Sequence, residues 1–275
     1  MKHRSIPGRT VAYIVVGLLV LFSVLPTIYM IDLSFRNPTQ SYEPSLITGS
    51  PILGNYRTVL SNGGFLNYFK NSLIVSLVTV AVTLLVVLLA SFGLSRLKIR
   101  GKSLVFYLLI AGMMVPLASL IVPLTISLKN MNLLNNYFGL IGPFVAIGTP
   151  FGLLVLKGAM DSFPKELEEA AVLDGASAFR TLFGVILPTI VPSLLVVAIW
   201  QFLYSWNEFF LSLVVMTKNS FKTVPLLPLQ FEGPYMTDPG ALFAVLTIVS
   251  IVPMVVYIVL QKWFVRGLME GGVKG

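Results

Sequence analysis

NSLIVSLVTVAVTLLVVLLASFGLS, residues 71–95, contains no Asp, Glu, Lys or Arg. As a helix rising about 1.5 Å per residue it reaches roughly 37 Å, enough to cross a hydrocarbon layer ~30 Å thick. A strand of a membrane barrel would alternate apolar and polar residues over about ten positions. This run is apolar on every side, so lipid is its solvent and helix its conformation.

Five more uncharged stretches share that character: Thr10 to Ile31, Ser103 to Leu128, Asn130 to Leu156, Thr181 to Asn207 and Pro239 to Gln261. The expected fold class is therefore all-α, a membrane protein of six transmembrane helices. A hydrophobic share of 56%, a charged share of 11% and a mean hydropathy of +0.89 agree, being far outside the range of soluble chains. The first stretch follows Lys2, Arg4 and Arg9 but exceeds a signal-peptide core of about 7–15 residues and precedes no small-residue cleavage site. An uncleaved first helix is expected.

Thirteen of the 19 Lys and Arg fall on one side of this topology, among them Arg96, Lys98, Arg100, Lys102, Lys157, Lys165 and Arg180. The positive-inside rule makes that side cytoplasmic, with both termini inside. The formal net charge of +8 follows from this distribution and gives no reason to expect a nucleic-acid partner. With no Cys, and His3 the one His, thiolate and histidine centres are excluded.

Two long loops lie on the outer side. Leu33 to Lys70 carries Pro38, Pro44, Pro51 and Gly63-Gly64 and reads as turns with room for one short helix, either a solvated tether or a binding surface. Thr217 to Pro239 presents Gln230-Phe231-Glu232-Gly233-Pro234-Tyr235, whose two aromatics suit contact with a partner protein or sugar and equally suit anchoring at the membrane interface.

The third long loop, DSFPKELEEAAVLDGASAFRTLFGVILP from Asp161 to Pro188, lies on the basic side yet holds Asp161, Glu166, Glu168, Glu169 and Asp174, five of the 11 acidic residues. Ser162 and Pro164 suit a helix start and Gly175 a C-terminal cap. Ser177 caps a second helix whose Phe179, Leu182, Phe183 and Ile186 recur at helical spacing, with Phe179, Leu182 and Phe183 expected to pack it under the bundle, and Pro188 marks a turn into the fifth span. Interfacial helices are usually basic, because bilayers are anionic. An acidic hairpin there favours a protein partner with a basic-rimmed groove.

Glu169-Ala170-Ala171, Asp174-Gly175-Ala176 and Leu187-Pro188 resemble the EAA loop of binding-protein-dependent ABC-importer permeases. Gln261 to Leu268 with the tail Gly271-Gly272-Val273-Lys274-Gly275, and Trp206-Asn207-Glu208-Phe209, resemble the maltose-type carbohydrate subfamily, in particular its G subunit. The resemblance implies a type I ABC importer permease fold. It divides the chain into 1–70, a first helix and outer loop; 71–264, the transport domain with its coupling loop 161–188; and 265–275, a cytoplasmic tail.

It implies a non-catalytic subunit in a bacterial inner membrane. The partners would be a second, F-type permease, two ATPase subunits carrying ATP and Mg, and an extracytoplasmic solute-binding protein. No cofactor is expected in this chain. Glu169, Ala170, Ala171, Asp174, Gly175, Phe179, Phe183, Leu187 and Pro188 would contact an ATPase, and Gly271 to Gly275 would reach between the ATPases. The glycine of a P-loop is missing before Gly101-Lys102-Ser103, where Arg96 stands. Glu208, with Gln201, Tyr204, Trp206 and Asn207, could line the translocation path or form structural hydrogen bonds. In the maltose system the sugar is held mainly by the other permease. A secondary transporter or a membrane-embedded enzyme is the alternative.

Overall fold

The computed structural model describes residues 6–37, 45, 47–61, 64–232 and 238–272, with backbone alone for 6–9 and 263–272. Five segments are long and apolar enough to cross a bilayer: Thr10–Ser34, Phe65–Arg96, Phe138–Ser162, Ala178–Asn207 and Pro239–Lys262. They belong to helices α1 (Ile6–Ser34), α3 (Phe65–Arg96), α6 (Phe138–Ser162), α9 (Leu187–Asn207, with the turns before it) and α11 (Pro239–Gly272).

The expected third span is not one helix. It is a pair, α4 (Lys102–Ala111, continued by a 3-10 turn at Gly112–Met114) and α5 (Leu117–Asn130), meeting at 102°. Pro116 is the cause, since a proline pushes the residue before it out of the helical region, and Val115 lies at φ −83°, ψ 116°. The fourth span begins at Phe138 and not at Asn130. Between α5 and α6 the chain turns through Asn132 and Asn135, at φ 58° and 54°, a left-handed conformation asparagine tolerates.

Two compact units cluster separately, residues 1–65 with 227–251 and residues 66–226 with 252–275. In the first, the loop after α1 is pinned by side chains. Arg36, 1% exposed, donates from Nε and Nη2 to Asp32 Oδ2 at 2.9 and 2.7 Å, and Thr48 N–H donates to Asp32 Oδ1 at 2.8 Å. Asn55, on the short helix α2 (Gly54–Ser61), donates to the carbonyls of Ser34 and Arg36 at 2.8 and 2.7 Å. The described part of this loop is thus built structure and not a tether.

In the second unit, α3, α6 and α9 pack into one apolar core. Val87 from α3, Leu153, Leu156 and Met160 from α6, and Ile190 and Val197 from α9 enclose one another, joined by Leu182 and Ile186. At its other end α3 is fastened by Asn71, 1% exposed: Nδ2 donates to the carbonyls of Ser220 and Lys222, both at 2.9 Å, and Oδ1 accepts from Tyr137 at 2.8 Å. Ser72 Oγ accepts from Val224 N–H at 2.8 Å. Residues 220–224 are thereby held against this end of the helix.

Candidate functional site

The acidic loop folds as the spacing of its residues dictates. Phe163 and Pro164 are extended, and α7 (Lys165–Leu173) starts after them with Glu166 and Glu168 in its first turn, where the helix dipole favours acids. It ends in a Schellman turn. Ala176 N–H bonds to Ala171 O at 2.9 Å and Gly175 N–H to Val172 O at 3.0 Å, with Gly175 at φ +80°. Ser177 then caps α8 (Ala178–Thr181) by accepting from Arg180 N–H at 3.4 Å.

No turn occurs at Pro188. A π turn over Leu182–Ile186 joins α8 to α9 without a break, closed by Leu187 N–H reaching Leu182 O. Pro188 has no N–H to offer the preceding turn, and the wider turn absorbs that deficit. Nor do all the aromatics pack inward. Leu182 and Ile186 are fully buried, whereas Phe179 and Phe183 are exposed and stack on one another at 6.5 Å with 7° between their planes. The helical period puts 182 and 186 on one face and 179 and 183 beside it.

None of the side chains on α7 is buried. Glu169, Ala170, Asp174 and Gly175 are exposed, Ala171 is half-buried, and Leu173 stands 87% exposed at the tip, beside Val172. Glu169 and Ala170, the apolar tip at Val172 and Leu173, and the Phe179–Phe183 pair are thus all accessible. Leu187 is half-buried and Pro188 exposed. Leu173 was not singled out from sequence, because a leucine in a helical pattern reads as core.

One residue of α7 faces inward. Glu168 accepts from Arg96 Nε through both carboxylate oxygens, at 2.8 and 2.7 Å, and is also bonded by Arg96 Nη2. The same Nη2 donates to Met160 O at 2.6 Å. The pair is 13% and 15% exposed. In sequence Arg96 counted toward the basic side of the topology and stood where a P-loop would need glycine, with nothing to link it to Glu168.

The five residues proposed for the path divide. Gln201 is fully buried, its Nε2 donating to Phe144 O at 3.1 Å. Trp206 is fully buried between Phe202 and Phe69, both 5.6 Å away. Glu208 accepts from the N–H groups of Leu211 and Ser212 at 3.0 and 3.1 Å, restarting the chain as α10 (Phe210–Val215) after α9 ends at Asn207. Tyr204 is half-buried and Asn207 exposed. Tyr204 continues a column of rings, 5.4 Å from Trp200, which lies 4.6 Å from Phe151. Neither Trp200 nor Phe151 stood out in an aromatic-rich sequence.

Of the outer-loop residues, Gln230 and Glu232 are exposed and Phe231 is half-buried, while Gly233, Pro234 and Tyr235 lie outside the described residues. Of the tail, Gly271 and Gly272 continue the backbone of α11, and Val273, Lys274 and Gly275 lie outside the described residues. Among the described residues no group of His, Cys, Asp and Glu could hold a metal.

The family profile "Binding-protein-dependent transport system inner membrane component" matches residues 87–270. The chain is 35% identical to a putative ABC transporter permease protein of Caldicellulosiruptor sp. (strain Rt8B.4), covering 96% of both. It is 32% identical to the trehalose/maltose transport system permease protein MalG of Thermococcus litoralis, covering 94% of both. Its fold superimposes on a bacterial ABC transporter involved in the import of the acidic polysaccharide alginate with a TM-score of 0.81, at 21% identity, over 96% of this chain and 100% of that one. The chain belongs to the binding-protein-dependent transport system inner membrane component family, and is a multi-pass membrane permease subunit of an ABC importer.

Proposed function

We propose that this permease takes up a carbohydrate, as one member of a heterodimer with a second, F-type permease, served by two ATPase subunits and an extracytoplasmic solute-binding protein. ATP and Mg act on the ATPases. The sugar class is supported by the near-full-length likeness to the trehalose/maltose permease. The observation that carries the coupling role is the exposed α7 surface around Glu169 and Leu173, ended at Gly175, which has no burial partner of its own.

On this reading the acidic loop is cytoplasmic, as are both termini, and Glu169 pairs with a basic residue in an ATPase cleft while Leu173 and Phe179 fill its apolar part. The tail Gly271 to Gly275 is assigned a contact with the same ATPases. The path is assigned to Tyr204 and Asn207, with Trp200 and Phe151 stacked in a column that holds the Tyr204 ring in place. Gln201, Trp206 and Glu208 support it from behind.

The test is reconstitution of the purified assembly in proteoliposomes with its binding protein and labelled trehalose as the probe, followed by other neutral and acidic oligosaccharides. Copurification with an ATPase and uptake dependent on ATP are expected. Uptake driven by a proton or sodium gradient without ATP would overturn the proposal in favour of a secondary transporter.

A further inference from the structure

Arg96 is the last residue of α3, and its guanidinium joins three elements. It holds its own helix, the carbonyl of Met160 near the end of α6, and both carboxylate oxygens of Glu168 on α7. Met160 O also accepts from Phe163 N–H at 3.2 Å, at the elbow where α6 gives way to α7. Arg96 therefore spans the hinge of the coupling loop. Because α7 buries no side chain, this bridge is the polar fixture that orients it. At its other attachment α7 continues through the Gly175 turn and the π turn over Leu182–Ile186, a wider and less regular helical turn.

The opposite end of α3 carries Asn71, which grips the carbonyls of Ser220 and Lys222. Twenty-five helical steps lead from Asn71 to Arg96, about 37 Å at helical rise. A single continuous helix thus has a two-pronged ion pair to the coupling helix at one end and a two-pronged amide clamp on the outer loop at the other.

We propose that α3 is the rod that carries displacement of α7 to the outer loop 218–222, and that Arg96 is the positioning residue that fastens the rod to its drive. The inference rests on α7 being the ATPase-docking helix. A helix with a firm attachment at both ends moves as one body, because packed helices have discrete arrangements and do not deform continuously. Without Arg96, α7 pivots at the Phe163–Pro164 elbow and the ATPase stroke is spent there.

The chain has no cysteine, so a single reporter can be placed cleanly. Lys218→Cys puts one on the outer loop, where the residue is exposed and its backbone N–H is held by Asn135 Oδ1 at 2.7 Å. The assembled complex is labelled with a membrane-impermeant maleimide without nucleotide and after trapping with ATP and vanadate. The expected result is a change in labelling rate on trapping in the parent. Arg96→Ala reduces that change about tenfold, the size of a typical coupling between sites, while the complex still assembles and still traps nucleotide. Arg96→Lys and the reversed pair Arg96→Glu with Glu168→Arg recover part of it.

An undiminished change in Arg96→Ala, or no change in a parent that traps nucleotide, overturns the proposal. So does loss of assembly in Arg96→Ala that neither Arg96→Lys nor the reversed pair repairs, which makes the bridge merely structural. A parent that binds no ATPase defeats the functional reading instead.

Discussion

A Cβ atom placed on Gly148 would lie 1.6 Å from Oε1 of Gln201, so the glycine on α6 is the space the glutamine on α9 occupies. The amide it admits is fully buried and donates to Phe144 O. Gly148→Ala must displace that amide in a packed interior. A loss of about 1–3 kcal/mol is expected from overpacking and the broken hydrogen bond, read as a lower Tm of the detergent-purified chain. Adding Gln201→Ala to Gly148→Ala should recover part of the loss, because the two changes share one contact. Strictly additive losses would deny that contact.

Residues of this kind separate what could be read from the sequence from what could not. The spans were legible because lipid imposes uniform apolarity, which composition reports directly. The α7 turn was legible because Gly175 and Ser177 act on their own neighbours, and local chemistry survives in a linear string. Arg96 with Glu168 and Gly148 with Gln201 are partnerships across 72 and 53 positions, and neither residue alone predicts the other. The break at Pro116 carried a local signal too, but a criterion of uncharged length passed over it.

Asn71 makes a prediction at the outer end of α3. Asn71→Ala leaves two carbonyls and the Tyr137 hydroxyl without their partner, so the segment carrying Lys218 and Lys222 should open more often. Cleavage by trypsin at these lysines should accelerate on the order of tenfold, the effect of 1–3 kcal/mol on a local opening equilibrium. Asn71→Asp keeps the acceptor for Tyr137 but sets a buried carboxylate oxygen against the carbonyls of Ser220 and Lys222, so it should open the segment at least as much as Asn71→Ala does. A cleavage rate unaffected by either change would mean the clamp does not hold the loop.

Glu208 was a candidate for contact with cargo, and its geometry makes it a cap. Both carboxylate oxygens are occupied by the N–H groups of Leu211 and Ser212. Glu208→Ala should cost about 1–2 kcal/mol, as loss of a cap does, and Glu208→Gln less. For Glu208→Gln the KM for labelled trehalose, or for whichever sugar the complex transports, should stay at the parent value. A tenfold KM change with an unchanged Tm would return Glu208 to the path.

Gly175 allows the two demands on the coupling turn to be told apart. Its φ of +80° is one that residues with a Cβ avoid, yet a Cβ built there meets nothing within 4 Å. Within the chain, therefore, the requirement is conformational and not steric. Asparagine enters the left-handed region at small cost, whereas a β-branched residue is a genuine outlier there. If the turn only has to form, Gly175→Asn should retain most ATP-driven uptake and Gly175→Val should lose it, together with about 1–2 kcal/mol or more of local stability. If a partner surface also presses on this position, Gly175→Asn should insert and fold as the parent does yet fail to bind the ATPase. Copurification of the ATPase with each variant decides between them, and Gly175→Val behaving as wild type in both assembly and uptake would show that the turn is not needed in this conformation.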